Sequence, residues 1–473
     1  MQGREPILQW KILFQVPTVV ADAKNSWPLL HLLGLDWATS WAILQRVWQL
    51  LAGAVTIVLM TRYFDLPTQG YYYLFSSLIA LQTFFELGLS QVVVNVCSHE
   101  WAVLRLEAGY VVGDATSRAR LISLGRQLMV WFTAVHILFM LVVGSGGAFY
   151  LDQKAEVGWS WQAPWWSLVL LTAWQLWMLP WVAMLEGCNQ VAEVNAARFL
   201  QIMIANVAVW IVIVSGGGIW ALAAAGATRV VCDGILLGFC YRRFFAPFWS
   251  RSRETGFDWR REIWPMQWRV AVSAWFAYFG FFLLTPVMFE YHGPRVAGQM
   301  GMTWTVVTAV QAAALAWVQT RTPRFGMLIR EQRYEALDRL FVRVTGLALI
   351  AMLVAGLIYW CLLIGCLRQG WSFADRVLPP LPTALLLLAG WVQVLASALV
   401  SYVRAHKQEP FLIIGMLSNA LIGLAIWVLG ARYGPTGAGI GLLGVVTSVT
   451  LPVQLAIWRE CRASHGLSKL EAN

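Results

Sequence analysis

The stretch PFLIIGMLSNALIGLAIWVLG, residues 410–430, contains no charged side chain and decides the class of fold. A helix needs about 20 largely apolar residues to cross the hydrocarbon core of a bilayer, and this stretch is long and apolar enough. Similar stretches occur along the whole chain and predict helices, because short alternating strands separated by turns are absent. The twelve predicted spans are residues 40–61, 71–96, 127–149, 165–185, 196–215, 218–240, 265–289, 297–319, 342–365, 381–403, 410–430 and 437–458.

The composition of the chain excludes several classes of protein. Of its 473 residues, 59% are hydrophobic and only 12% are charged, whereas a soluble domain carries about 25% charged residues. The mean hydropathy is +0.63. A soluble enzyme, a disordered scaffold, a secreted disulfide-rich module and a nucleic-acid binder are therefore set aside, and no nucleic-acid partner is expected. The net charge of +10 is interpreted first as a sign of membrane topology.

The distribution of Lys and Arg between the spans predicts the orientation of the chain. With the N-terminus inside, the inside loops and tails hold 23 basic residues and the outside loops hold 6. Because cytoplasmic loops carry the excess of Lys and Arg, both termini are predicted to lie in the cytoplasm. No outside loop exceeds roughly fifteen residues, which disfavours a membrane enzyme of glycan assembly, since such enzymes usually carry a large outer domain.

Residues in the two halves of the chain match in order and predict an internal repeat. The matched pairs are Gly70 and Gly298, Gln82 and Gln311, Trp174 and Trp391, and Asn206 and Asn419. The predicted fold is an all-α polytopic membrane protein with two six-helix bundles around a central cavity, an architecture suited to alternating access. The predicted parts are a cytoplasmic N-terminal tail, an N-terminal bundle, a basic linker, a C-terminal bundle and a cytoplasmic C-terminal tail, at residues 1–39, 40–240, 241–264, 265–458 and 459–473.

Several segments resemble those of a known family. The run from Gln45 to Glu100 has an Arg early in span one, a Pro followed by Gly-Tyr at the start of span two, and the segment FELGL within span two. The segments LEGCNQVAEVNAARF, residues 185–199, and YGPTGAGIG, residues 433–441, fit the same pattern. The chain thus resembles the polysaccharide flippases, the O-antigen-type branch of the multidrug/oligosaccharidyl-lipid/polysaccharide exporter superfamily.

The resemblance implies a function. It implies a multi-pass protein of the inner membrane that moves an undecaprenyl-diphosphate-linked oligosaccharide from the inner to the outer leaflet, coupled to an ion gradient. Its expected partners are the lipid-linked glycan, the bilayer and other membrane proteins of polysaccharide assembly. The sequence contains no nucleotide-binding P-loop and no metal-ligand motif. No metal and no cofactor is therefore expected, apart from a coupling H⁺ or Na⁺.

Cationic side chains inside the spans are the candidate ligands of the diphosphate. Charged groups within hydrocarbon are costly and usually face a cavity or a partner, and the guanidinium fork matches phosphate oxygens. The predicted substrate-binding residues are Arg46, Gln49, Arg229, Arg269, Gln82 and Gln311. The alternative is that Arg46 pairs with Glu86, and Arg229 with Asp233 four residues along one helix, as structural ion pairs.

Glu86 and Asp233 are the well-embedded carboxylates and are the predicted ion-coupling residues. Multidrug members of the superfamily typically carry an acidic residue in span one, and none occurs between Trp41 and Thr61. This departure disfavours a multidrug or small-cation antiporter, which stays open as the second interpretation.

A stripe of aromatic side chains lies in span four. Trp174, Trp177 and Trp181 follow the spacing i, i+3 and i+7, and Pro180 interrupts the helix beside them. Such a stripe can stack on sugar rings, and packing or lipid contact is the alternative interpretation.

Overall fold

The computed structural model describes residues 37–154, 160–249, 259, 263–406 and 410–471, which are mostly helical. The helices of the first part of the chain are α1 Trp37–Tyr63, α2 Leu66–Ile79, α3 Gln82–Glu86, α4 Leu89–Trp101, α5 Ala115–Phe139, α6 Ser145–Lys154, α7 Gln162–Gly187, α8 Val191–Val214, α9 Trp220–Ile235 and α10 Arg242–Phe245. Those of the second part are α11 Trp264–Phe281, α12 Leu284–Gln319, α13 Thr322–Arg330, α14 Tyr334–Arg368, α15 Pro380–Ala405, α16 Phe411–Val445 and α17 Leu451–Glu471. Single π-helical turns continue α5, α9 and α16, at Met140–Gly144, Leu236–Cys240 and Val446–Thr450.

The described helices agree with a multi-pass membrane protein. Within the described ranges, eight helices are long and apolar enough to cross a membrane, or nine if the bent pair Leu66–Glu86 and Leu89–Trp101 forms one span. A shorter apolar helix, Leu51–Tyr63, lies within α1. Two of the eight extend over parts of two predicted spans. Phe411–Ala463 covers spans eleven and twelve, and Leu284–Arg330 covers span eight and the end of span seven. The all-helical, multi-pass fold class is confirmed, and the number of twelve spans stays a prediction.

The long helices change direction at Gly-Pro pairs. Gly293 has φ 83° and ψ 175° within α12, and Gly434 has φ 62° and ψ −148° within α16. Both are backbone conformations that a residue with a Cβ rarely adopts. A proline follows each glycine and suits the first turn of a new helix, where no N–H is needed. The breaks at 293 and 434 therefore fall where the sequence predicts the turns between spans seven and eight and between spans eleven and twelve.

Span two is broken within the segment FELGL. Leu87 and Gly88 both have left-handed backbone conformations, with φ 55° and 62°, and interrupt the helix between Glu86 and Leu89. The packing of the chain changes at the same point. Two compact units separate there: one contains the described residues up to Thr56 and from Gly88 to Trp268, and the other contains Ile57–Leu87 and the residues from Arg269 onward.

The first unit is built around α7. This helix packs against α4, α5 and α9, and α9 packs in turn against α8. Trp165 of α7 is fully buried and donates its indole N–H to the Gly144 carbonyl at 3.0 Å. A Cβ added to Gly187 would lie only 2.6 Å from the Cβ of Cys97. The end of α7 therefore contacts α4 without an intervening side chain. Small residues at such crossings are typical of helix packing in membranes.

A short hairpin joins α4 to α5 in the first unit. Strand β1, Leu104–Glu107, pairs antiparallel with β2, Tyr110–Gly113, so that Leu104 lies opposite Gly113. The turn residues Ala108 and Gly109 both have positive φ, as in the tight turns that suit a hairpin. Arg243 lies over this turn, with its Nη1 donating to the Ala108 carbonyl at 3.2 Å.

The second unit is built around α12, which packs against α2, α14, α15 and α16. Gly70 of α2 and Gly298 of α12 are matched positions of the predicted repeat, and their backbones are in contact. A Cβ on Gly298 would lie 2.9 Å from the Gly70 nitrogen, and one on Gly70 would lie 2.1 Å from the Pro294 oxygen. This crossing therefore requires glycine on both helices. The predicted bundle boundaries, 40–240 and 265–458, stay a prediction, and the packing adds that 57–87 group with the second unit.

A hydrogen-bond network ties α1 and α2 to the turn before α15. The fully buried Gln69 donates Nε2 to the carbonyls of Gly298 and Arg376, each at 2.9 Å. The Arg376 guanidinium donates to the Gln69 side chain at 3.4 Å, to the Thr61 carbonyl at 3.2 Å and to the Phe64 carbonyl. Burial lowers the pKa of Arg376, and the nearby carboxylates oppose this. The network satisfies carbonyls at the end of α1 that have no partner within the helix.

Replacing Gln69 by Leu is expected to reduce the free energy of unfolding by about 1–3 kcal/mol, because buried carbonyls lose their donors. The measurement is unfolding of the purified protein in mixed micelles. The matched control is Gln299→Leu, since Gln299 also donates to a carbonyl of this turn, that of Asp375 at 2.9 Å, but through an exposed hydrogen bond. Equal stability of Gln69→Leu and the wild type would contradict the role given to this network.

Candidate functional site

The candidate site is a cavity of about 450 Å³ within the second unit, where α12, α15, α16 and α17 meet. One face of α15 supplies much of its wall. The residues on that face recur every three or four positions, as neighbours on a helix surface do: Gln393, Ala396, Ser397, Val400, Ser401 and Arg404. At 1.5 Å per residue, this stripe extends for about 16 Å along the helix.

Gln311 of α12 lies at one end of the cavity. It is 9% exposed, and its Nε2 donates to the Gly390 carbonyl at 3.2 Å and to Gln393 Oε1 at 2.8 Å. Gly390 permits this contact, because a Cβ there would lie 3.1 Å from the Gln311 nitrogen. The predicted site residue Gln311 therefore lines the cavity, and its role in binding stays a prediction.

The opposite wall carries polar atoms without a protein partner. Among the described residues, the buried Ser418 Oγ, Thr450 Oγ1 and Gln454 Oε1 form no hydrogen bond, and all three residues line the cavity. Leaving such atoms unpaired is costly, so they are suited to hydrogen-bond a ligand or water that enters the cavity. Thr450 closes the π-helical turn Val446–Thr450, a feature frequently found at functional sites.

The cavity is polar but carries little charge. Arg404, in the last turn of α15, is the one charged residue among the described residues that line it, and no carboxylate lines it. Amides and hydroxyls both donate and accept hydrogen bonds, whereas a guanidinium only donates and prefers an anion. The arrangement is suited to a ligand that is rich in hydroxyl groups and carries negative charge.

A second polar cluster lies in the first unit around Asp233. Gln201 of α8 donates its Nε2 to Asp233 Oδ1 at 3.0 Å and to the Arg229 carbonyl at 3.1 Å. The Arg229 side chain is exposed. Arg229 and Asp233, which the helix spacing would allow to pair, form no ion pair within the described residues, and the amide of Gln201 engages the carboxylate. In the same unit, Glu186 at the end of α7 forms an ion pair with Arg198 of α8.

Two of the three tryptophans in the stripe of α7 line a common cavity. Trp177 and Trp181 line a cavity of about 200 Å³ in the first unit. Trp174 does not line it and is 46% exposed. Sugar stacking by the three tryptophans stays a prediction.

The remaining predicted site residues are spread over other helices. Arg46 lies in α1 and Arg269 in α11, and the side chains of both are outside the described residues. Gln49 is exposed, and Gln82 is half-buried at the start of α3. Glu86 is half-buried and ends α3, immediately before the break at Leu87. The roles of these residues stay predictions.

Sequence reasoning missed most of the cavity. Gln393, Ser397 and Ser401 follow one another at four-residue intervals within an otherwise apolar span. That spacing could have identified a polar face on α15. Arg404 follows three residues later. It lies just beyond the predicted span, among the loop charges that indicate topology.

No protein-family model matches the chain, and no curated protein matches it. Several solved structures do. An inward-facing multidrug resistance transporter of the MATE family, in the MOP superfamily, has a TM-score of 0.56 and 13% identity over 89% of this chain and 95% of that one. The lipid II flippase MurJ in an inward closed conformation has a TM-score of 0.55 and 12% identity over 91% of this chain and 90% of that one. An outward-facing MATE transporter of the same superfamily has a TM-score of 0.52 and 13% identity over 93% of this chain and 99% of that one.

These similarities show that the chain has the fold of MOP-superfamily membrane transporters. The fold agrees with the resemblance inferred from the sequence, and membership of the superfamily stays a prediction. The polysaccharide-flippase branch is a finer statement and enters as a proposal.

Proposed function

We propose that the chain moves a polyprenyl-diphosphate-linked oligosaccharide from the inner to the outer leaflet of the inner membrane by alternating access, for polysaccharide export. The observation that carries this proposal is the lining of the cavity in the second unit, whose described residues combine amides, hydroxyls and Arg404 without a carboxylate. Both neighbour types, multidrug transporter and lipid II flippase, share the fold, so the choice between them depends on the chemistry of the site.

The lining matches the two parts of such a substrate. Sugar hydroxyls need both donors and acceptors, which Gln393, Ser418 and Gln454 supply. A diphosphate needs a cation, which Arg404 supplies. In the predicted orientation α15 ends at the cytoplasmic side. Arg404 would therefore lie at the level of the leaflet from which the substrate arrives. Arg46, assisted by Gln49, Arg229 and Arg269, is proposed as a further phosphate ligand on the basis of the sequence.

A multidrug or small-cation antiporter is less well supported. A drug cation needs a carboxylate within an apolar cavity, and the described lining contains none. Asp233, held by Gln201 at 3.0 Å, and Glu86 are proposed to bind the coupling H⁺ or Na⁺ rather than a drug.

Arg46→Lys is expected to retain part of the transport and Arg46→Ala to lose it at normal protein levels, because Lys keeps the charge but not the bidentate fork. The assay follows the accessibility of a lipid-linked glycan on the outer leaflet of proteoliposomes. The matched control is Arg62→Ala, an exposed Arg in the last turn of the same helix, which should transport normally. Normal transport by Arg46→Ala would remove Arg46 from the substrate site, and poor accumulation of that variant would assign it a structural role.

A further inference from the structure

The cavity beside Trp177 and Trp181 is separate from the candidate transport site described above. It lies in the first unit between α7, α9 and the turn after α10, and its volume is about 200 Å³. Complete small-molecule sites usually measure about 300–1,000 Å³. This groove is therefore sized for a segment of a larger ligand.

Two glycines create the space. Gly234 and Gly238 lie four residues apart on α9 and its π-helical continuation, and both line the groove. A Cβ on Gly238 would meet no atom within 4 Å, and one on Gly234 would meet only the Met178 methyl group at 3.7 Å. The groove thus exists because side chains are missing from this face of the helix. The π-helical turn Leu236–Cys240 adds an irregularity of the kind found at functional sites.

The walls of the groove are apolar. The described residues that line it include no charged, hydroxyl or amide side chain. The indole N–H of Trp177 already donates to Thr133 Oγ1 at 3.1 Å. Trp181 is held edge-on by Phe245 and Phe248, with ring centroids 5.5 and 6.2 Å away. Sugar hydroxyls would find few hydrogen-bond partners here. A hydrocarbon chain makes no hydrogen bonds, so it would lose none on entering the groove.

A cation follows the groove directly in the sequence. The π-helical turn ends at Cys240, and α10 begins at Arg242, whose side chain is exposed. The next residue, Arg243, is engaged with the Ala108 carbonyl of the hairpin. An apolar groove followed by an exposed guanidinium matches a ligand with a long hydrocarbon tail and a phosphate head.

We infer that this groove holds part of the isoprenoid tail of the polyprenyl phosphate carrier when the carrier first binds, with its phosphate near Arg242 before it reaches Arg404. The inference rests on the proposed function and adds to it a site for the lipid part of the substrate. A tail that leaves the bilayer for the groove exchanges one hydrocarbon surrounding for another, so its binding depends on close packing against the aromatic walls. Filling the groove should therefore weaken binding without abolishing it.

The test uses the purified full-length protein and polyprenyl monophosphate that carries a photoreactive group in its tail and no sugar. Labelling is expected in peptides that contain Trp177 or Trp249. Gly238→Leu should raise the Kd about tenfold, because the new side chain occupies the groove. The variant should fold, since Leu forms helix more readily than Gly and the position is open. Trp249→Ala, which shortens an exposed part of the rim (64% exposed), should also weaken binding.

The matched control is Gly346→Leu on α14, where a Cβ also meets no atom within 4 Å, and it should bind normally. Unchanged binding by Gly238→Leu would overturn the inference, as would equal competition by phosphatidylglycerol, a diacyl lipid with a phosphate head. Failure of the proposed function gives a different result. In that case polyprenyl phosphate binding still falls in Gly238→Leu, but no lipid-linked glycan is transported.

Discussion

Ser397→Leu is expected to abolish transport of the lipid-linked glycan while the protein stays folded. Ser397 lies midway along the polar face of α15, between Gln393 and Arg404, and is half-buried at the cavity wall. A leucine there fills part of a cavity of about 450 Å³ and separates the hydroxyls and amides that would bind the sugars. Unpaired polar groups on a buried ligand cost about 1–3 kcal/mol each, so several lost contacts predict at least a roughly hundredfold loss of transport rate.

The matched control for this variant is Thr447→Leu. Thr447 is an exposed hydroxyl residue in the π-helical turn after α16, and its side chain bonds only to carbonyls of its own helix, those of Leu443 and Gly444. Its replacement should leave the transport rate within about twofold of the wild type. Wild-type transport by Ser397→Leu would show that the substrate does not pass through this cavity.

Arg404→Gln is expected to weaken binding of a polyprenyl diphosphate by about ten- to hundredfold. Hydrogen bonds to charged groups contribute about 1.5–3 kcal/mol, and each 1.4 kcal/mol is a factor of about ten in affinity. Arg404→Lys should recover part of the loss, because the charge remains but the planar fork does not. The measurement is the Kd of the diphosphate in detergent.

A control for Arg404 is Arg339→Gln, an exposed Arg of α14 whose Nε donates to the Glu335 carbonyl of its own helix. Its affinity should equal that of the wild type. If both glutamine variants lose affinity equally, the effect is one of net charge and Arg404 is not a specific ligand.

The helices could be predicted from the sequence because the bilayer sets their length. Span four was expected at 165–185 and α7 is Gln162–Gly187, while span ten was expected at 381–403 and α15 is Pro380–Ala405. The break at Leu87 could not be predicted in this way. Hydropathy measures only composition, and the segments on both sides of the break are predominantly apolar despite Glu86. Its position follows from the left-handed backbone of two successive residues, which the sequence FELGL does not specify alone.

The candidate site was predictable only in part. A search for charged groups within spans identified Arg46, Glu86, Arg229 and Asp233, because such groups are costly in hydrocarbon. The cavity of the second unit is instead lined mainly by neutral polar residues, which cost less in a span and stand out only by their spacing. Gln311 was found through the repeat, since an internal match does not depend on charge.

Transport by the purified wild-type protein in liposomes tests the proposed function most directly. The chain is expected to move a polyprenyl-diphosphate-linked sugar between leaflets, and its binding should weaken with added pyrophosphate, which competes for the same guanidinium donors. Cationic dyes should not be transported. Robust dye efflux that is lost in Glu86→Gln, with no response to the lipid-linked sugar, would contradict the account and identify a cation antiporter.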